Sequence, residues 1–226
     1  MIIITSVSRG IGKYLFEYYL GKGENVIGFY NTTKPQTETS LIYKVDVSNP
    51  KSVADFVSNC KQKLEHITLI NTAGISYNAT AHKAKIEDWK NVLDVNLIGS
   101  FNVIQSVLPI MREGSFGRII NFSSVVAQKG IIGTSAYATS KSGLWGLAKS
   151  IAVENGSKNI TINNINLGYF NIGMIEQVPE NYLNTLINSI PAKRLGNPIE
   201  ITNTIDYIMN TGYLNGVSID LNGGLI

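Results

Sequence analysis

The strongest constraint on this chain is an alternation in its hydropathy. Apolar runs of strand length recur along 226 residues: MIIIT, NVIGFY, LIYKVD, ITLINTA, GRIINFSS, ITINNINLG and GVSIDLNG. Longer amphipathic stretches separate most of them, including IGKYLFEYYLGKG, PKSVADFVSNCKQKL and SAYATSKSGLWGLAKSIAVEN. Unbroken apolar strands need cover on both faces, and strand alternating with helix predicts a parallel sheet with right-handed crossovers. The chain is 44% hydrophobic and only 15% charged, which fits a largely buried sheet. The expected fold is α/β: a doubly wound parallel sheet of about seven strands with helices on both faces.

No Pro/Ser linker, low-complexity tract or internal repeat interrupts the pattern, so residues 1–226 read as one domain. Two regions break the rhythm. NTTKPQTETS, between the second and third strands, contains Pro35 and is too short for a full crossover helix. The stretch from Tyr169 to Gly196 holds Gly173, Pro179 and Pro191 around a helix near ENYLNTLINSI, followed by Pro198. A long irregular segment near the C-terminal ends of strands reads as a lid.

The net charge of +3 is too weak to argue for nucleic acid, and no Lys/Arg cluster stands out. The single cysteine, Cys60, excludes an intrachain disulfide and reads as a space-filling residue on an amphipathic helix. The opening MIIITSVSRG has no basic n-region, and no apolar stretch reads as a membrane span. The expectation is a cytoplasmic protein that engages neither membrane nor nucleic acid. His66 and His82 lie away from the motifs below and receive no metal or acid–base role.

The first strand runs into TSVSRGIGKYL, a strand, a glycine turn and an amphipathic helix. Gly10 and Gly12 would let backbone approach a pyrophosphate at a helix N-terminus with free N–H groups. Further along, Tyr137 and Lys141 stand four apart in SAYATSK, a spacing that shares one helix face. Either feature alone is weak.

TSVSRGIG resembles the T-G-x-x-x-G-I-G turn of short-chain dehydrogenase/reductases, and the resemblance continues in order along nearly the whole chain. VDVS at Val45–Ser48 is similar to the adenine-edge segment, NTAG at Asn71–Gly74 to N-N-A-G, and DVN at Asp94–Asn96 to N-V-N. IINFSS resembles the strand ending in the catalytic serine, and YATSK supplies the tyrosine and lysine. GYFNIGM and IDLNGGL match the closing segments. The pattern, with SRGIG and IPAKRLGNPIEI, looks most like bacterial β-ketoacyl-acyl-carrier-protein reductases. It implies a Rossmann-type fold, catalytic Asn96, Ser124, Tyr137 and Lys141, and a nicotinamide dinucleotide. The cofactor would be held by Ser6, Ser8, Arg9, Gly10, Ile11, Gly12, Asn31, Thr32, Asp46, Val47, Asn71, Ala73, Gly74, Tyr137, Lys141, Gly168 and Ile172. The second serine of the pair, thirteen residues before the tyrosine, is the catalytic one in the family, which selects Ser124 and leaves Ser123 structural.

The chemistry suits these residue types. Reducing a ketone needs a hydride from one side and a proton onto the developing alkoxide. Tyrosine can donate that proton if a nearby ammonium lowers its pKa from ~10. By resemblance, Lys141 also binds ribose hydroxyls, Ser124 bonds the substrate oxygen, and Asn96 holds a water that relays protons. Trp89 and Trp145 read as packing or interface residues.

At the end of the second strand, GFYNTTK places Tyr30 where an acid would accept from ribose hydroxyls. Asn31, Thr32 and Thr33 can donate to phosphate, and Arg9 resembles the basic residue of phosphate-accepting members, so NADP(H) is favoured over NAD(H). Three positions depart from the family pattern. Ser6 replaces a glycine, with strain if the turn needs positive φ. Leu167 replaces a proline, and Ile172 replaces a threonine that bonds the carboxamide.

The expected activity is NADPH-dependent reduction of a small-molecule ketone, possibly a 3-oxoacyl thioester. The alternatives are a reductase or dehydrogenase of a sugar or nucleotide-sugar, and a non-catalytic NADP-binding sensor. Val126, Gln128, Ile131, Ile132, Tyr169 and Met174 are candidate pocket walls. Two long helices are apolar around much of their circumference, and in the resembling family they pair across a two-fold axis, implying a homodimer or homotetramer.

Overall fold

The computed structural model describes residues 1–226 apart from Glu38, Ser40 and the side chains of Met174, Gln177 and Asn181. Seven strands form one parallel sheet. In chain order the elements are β1 (Ile2–Ile4), α1 (Gly10–Gly21), β2 (Val26–Tyr30), β3 (Ile42–Lys44), α2 (Pro50–Cys60), β4 (Thr68–Asn71), α3 (Ile86–Leu93), α4 (Gly99–Glu113), β5 (Gly117–Ser124), α5 (Val126–Lys129), α6 (Ser135–Asn155), β6 (Ile160–Leu167), α7 (Glu180–Ser189), α8 (Pro198–Asn210) and β7 (Ser218–Leu221). The strand order is β3-β2-β1-β4-β5-β6-β7, with every pairing parallel. The order reverses direction at β1 and β4, which opens a crevice beyond their C-terminal ends.

The period of two along each strand divides the core into two layers. Ile3, Leu69, Ile119 and Ile162 pack with Val53 and Phe56 of α2, Val107 of α4 and Ala148 of α6. Ile4, Ile70, Ile120 and Ile165 face the other way, onto Leu15 and Phe16 of α1 and Ile201 and Ile205 of α8. Cys60 is a buried member of the first layer. Among the described residues no helix lies between β2 and β3, so that connection stays a surface link, as its polar composition predicts.

Helix starts follow their local chemistry. Asn49 caps α2 by accepting from the Lys51 and Ser52 amides, with Pro50 at the first position. Asn197 and Glu200 form a capping box at α8, again ahead of a proline. Arg194 holds the same Glu200 through two 2.8 Å bonds, which lowers the carboxyl pKa to about 2.

One expectation needs correction. Residues Ile86–Glu113 form a helical run of 28 residues that is, by length and composition, long and apolar enough to cross a membrane. Its apolar surface serves the sheet on one side and extends to exposed Ile98 and Phe101 on the other. A helix apolar on two sides reaches span-like hydropathy without a single long apolar stripe. A five-residue π turn, Asp94–Ile98, interrupts it and turns buried Asn96 inward.

Candidate active site

Two clefts of about 500 Å³ each open beyond the C-terminal ends of the strands and share Gly74 in their walls. The first is lined by Ser124, Tyr137 and Lys141, with Ile11, Gly168 and Ile172 among its other walls. The second is lined by Ser6, Ser8, Arg9, Asn31, Thr32, Asp46, Val47 and Ala73, and also by Tyr30 and Thr33.

The glycine turn builds the floor between them. Gly10 has φ +56°, a conformation that favours glycine. Gly12 has no such need, but a Cβ there would run into the Ser6 carbonyl oxygen and come within 2.7 Å of Thr72 Oγ1. Gly12 therefore permits close packing of α1 under the turn, which suits a cradle for a pyrophosphate. Ser6 does adopt positive φ, +60°, where its family counterpart is glycine. Thr5 fastens the turn to the end of β4: its Oγ1 accepts from the Thr72 and Ala73 amides at 3.0 and 2.9 Å, and Thr72 Oγ1 donates to the Thr5 carbonyl. Ser8 Oγ reaches the Thr33 carbonyl at 2.5 Å and ties the turn to the link after β2. Thr5 and Thr72 were absent from the expected set, although Thr5 opens the very motif that marks the turn.

Asp46 lines the second cleft, and its Oδ1 accepts from the Ser48 amide at 3.0 Å and the Ser48 hydroxyl at 2.7 Å. Its carboxylate is therefore held in place by its own turn.

In the first cleft, β5 and α6 carry the reactive groups. Tyr137 and Lys141 share a face of α6, one turn apart. Lys141 Nζ lies 5.6 Å from the Tyr137 ring centroid and donates to the Phe122 carbonyl at 2.7 Å. Burial lowers the Lys141 pKa to about 8. The Tyr137 phenol moves the other way from expectation. Burial raises its pKa, and the Ser124 hydroxyl offsets part of that rise. Desolvation disfavours the phenolate. Ser124 Oγ also accepts from the Val126 amide at 3.2 Å.

Four expected site residues are not in the walls of either cleft: Gly10 and Gly12, which shape the turn beneath, and Asn96 and Asn71. Asn96 is fully buried and spends its amide on neighbours: Oδ1 accepts from the Ile75 amide at 2.8 Å, and Nδ2 donates to the Ile75 carbonyl at 2.9 Å and Ser140 Oγ at 3.0 Å. It holds the loop after β4 against α6. Asn71 points into the first core layer, two residues beyond Leu69, and donates to Asn121 Oδ1 at 2.9 Å. Asn121 in turn donates to Asn164 at 3.1 Å, and Asn164 to Ser218 Oγ at 3.0 Å, a row of amides crossing four strands.

Of the expected pocket walls, Val126, Ile131 and Tyr169 line the first cleft. Gln128 instead donates to Asp220 Oδ1 at 2.9 Å, and Ile132 is 88% exposed. Gln128 sits on α5, and Ile132 in the link from α5 to α6. The Met174 side chain lies outside the described residues. Ile175 and Val178 of the irregular segment complete the wall, and this segment sits beside the cleft as a lid would. Polar Ser76, Asn78 and Thr134 at the same cleft were not foreseen, because loop residues carry no periodic signal.

Residues 1–183 match the short chain dehydrogenase family. An acetoacetyl-CoA reductase of Shinella zoogloeoides is 36% identical, covering 98% of this chain and 96% of its own length. A 3-oxoacyl-[acyl-carrier-protein] reductase of Thermotoga maritima is 33% identical over 99% of this chain and 96% of its own. Among solved structures, the ligand-free aldohexose dehydrogenase of Thermoplasma acidophilum superposes with a TM-score of 0.91 at 25% identity, covering 99% of this chain and 92% of the other. The chain belongs to the short-chain dehydrogenase/reductase family, oxidoreductases that work with a nicotinamide dinucleotide.

Proposed function

We propose that this chain, as one unit over residues 1–226, reduces the ketone of a 3-oxoacyl thioester to an alcohol, using NADPH. The observation that carries the reading is the meeting of Ser124, Tyr137 and Lys141 on the wall of one largely apolar cleft, joined at Gly74 to a second cleft whose walls include Arg9, Asn31 and Asp46. The named activities of the acetoacetyl-CoA reductase and 3-oxoacyl-[acyl-carrier-protein] reductase relatives support the substrate class.

The nicotinamide cofactor, when bound, supplies the hydride. The residues that fit it are those of the glycine turn, the end of β2 and the Asp46 turn, with Lys141 and Ile172 toward the reacting end. Arg9, Asn31 and Thr32 at the second cleft, and Tyr30 in place of an acid, support a 2′-phosphate on the ribose. Tyr137 donates its phenolic proton to the substrate oxygen. Burial suits that role, because it keeps the phenol protonated until the oxygen becomes basic. Ser124 Oγ donates to the same oxygen, and this bond strengthens as charge develops there. Lys141 places positive charge behind Tyr137 and stabilises the phenolate left by proton transfer. Ile11, Val126, Ile131 and Ile175 exclude water from the acyl chain.

The test is NADPH oxidation with acetoacetyl-CoA, with Tyr137→Phe alongside. Turnover by the native protein that the variant loses supports the reading; no turnover by the native protein overturns the acyl substrate. The aldohexose dehydrogenase neighbour favours a sugar as second reading, tested by oxidation of free aldohexoses with NADP or NAD.

A further inference from the structure

Trp145 lies one turn beyond Lys141 on α6, on the same face. Its indole N–H reaches Ser123 Oγ and Asn166 Oδ1, both at 3.0 Å. Ser123 Oγ donates onward to the Lys141 carbonyl at 3.0 Å. At the other end, Asn166 Nδ2 donates to Asp220 Oδ1 at 2.7 Å, and Gln128 Nε2 donates to the same oxygen at 2.9 Å. The chain of bonds thus runs from exposed Asp220 on the edge strand to the backbone of Lys141.

Its donor–acceptor order is fixed from outside in. The Asp220 carboxylate only accepts, so it turns the Asn166 amide nitrogen toward itself. That leaves Asn166 Oδ1 facing the indole, which only donates. The Ser123 hydroxyl, accepting from the indole, directs its proton to Lys141. Ser124 is bracketed by this arrangement: Ser123 stands before it, and Gln128 four residues after it. No side chain caps the N-terminus of α6, and these cross-links and the Lys141–Phe122 bond join the helix to the sheet beside its apolar packing.

We propose that Trp145, Asn166 and Asp220 are positioning residues that hold Lys141 and Ser124 at their working separation, and that Asp220 does so from the sheet edge. The role rests on the reductase reading above, but the placement of Lys141 can be measured without it.

The experiment uses the full chain with Trp145→Phe, which keeps the ring and removes the N–H, and Asp220→Ala, which removes the acceptor at an exposed position. Kinetics with NADPH and acetoacetyl-CoA are expected to show kcat reduced by roughly tenfold or more in each, with KM within about twofold of native. Crystal structures of both variants are expected to show Lys141 Nζ displaced from the Phe122 carbonyl. Lower stability with native kcat and Lys141 still on that carbonyl would reduce the network to fold support and overturn the proposal. If the native protein turns over no acyl substrate, the reductase reading fails and the crystal structures alone decide the positioning: a displaced Lys141 upholds it, an unmoved one overturns it.

Discussion

Lys141 carries its ammonium into a buried position and sets it 2.7 Å from the carbonyl oxygen of Phe122. The pKa falls from 10.5 to about 8 because burial disfavours the charge. The folded state therefore gives up this proton more readily than the unfolded state. Below pH 8 both states are charged and the folded one bears the full desolvation cost. The cost fades between pH 8 and 10.5, where the unfolded chain alone still holds the proton, and is gone above. Lys141→Met is expected to be more stable than native at pH 7 by about 1–3 kcal/mol, with the gain shrinking toward alkaline pH. Urea unfolding at pH 7 and at alkaline pH checks it; equal stability at pH 7 would contradict it.

The same shift predicts a limb in the rate profile. With Tyr137 held protonated by burial, kcat/KM for reduction is expected to fall as Lys141 loses its proton above about pH 8. A rate that stays level well past that pH would remove Lys141's charge from the mechanism.

Ser6 sits at φ +60°, where a side chain is crowded by its own backbone. Ser6→Gly is expected to raise stability by about 1 kcal/mol, less the extra chain entropy glycine brings to the unfolded state. Thermal unfolding of the two proteins measures this, and a lower melting temperature in the variant would refute it.

Gly12→Ala acts in the opposite direction, since its methyl would meet the Ser6 carbonyl and Thr72 Oγ1. A loss of about 1–3 kcal/mol and of NADPH binding is expected, because α1 must back away from the turn. Fluorescence titration with NADPH reads the binding loss; unaltered affinity would mean that the turn gives way cheaply.

Arg9 lines the cleft with Asn31 and Thr32. Arg9→Ala is expected to weaken NADPH about tenfold and leave NADH nearly unchanged, the loss of one charge-assisted contact to phosphate. Parallel weakening of both cofactors would place Arg9 elsewhere than at the 2′-phosphate.

Much of the site was legible in the sequence because its parts stand at element ends. Ser124 closes β5, Tyr137 and Lys141 open α6, and Arg9 and Gly10 join β1 to α1. The hydropathy period places these positions at element ends, and the resemblance to short-chain dehydrogenase/reductases implies their roles. Asn71 was placed at the cofactor by motif, while its parity with Leu69 already turned it toward the core. The bonds of Trp145 could not be foreseen. They join α6 to β5 and β6 across 22 and 21 residues of chain, so only the register of Ser123 against Asn166 brings their partners together. The direction of the Tyr137 shift was misjudged because composition does not show how dry the cleft is.

The amide row has a consequence for how the sheet assembles. Asn71, Asn121 and Asn164 stand level on neighbouring strands, with Ser218 beside them. A slip of β6 that set Ile165 at that level would leave Asn121 with no amide to meet in a dry interior, and one that set Asn163 there would pull Asn163 from the Leu214 carbonyl and the Val217 amide. Apolar strands alone would tolerate such a slip, since isoleucine pairs with isoleucine in many alignments. The asparagines act as a key cut into an otherwise uniform edge: only one alignment turns, and it is the one that brings Ser124 level with Leu167 at the mouth of the cleft.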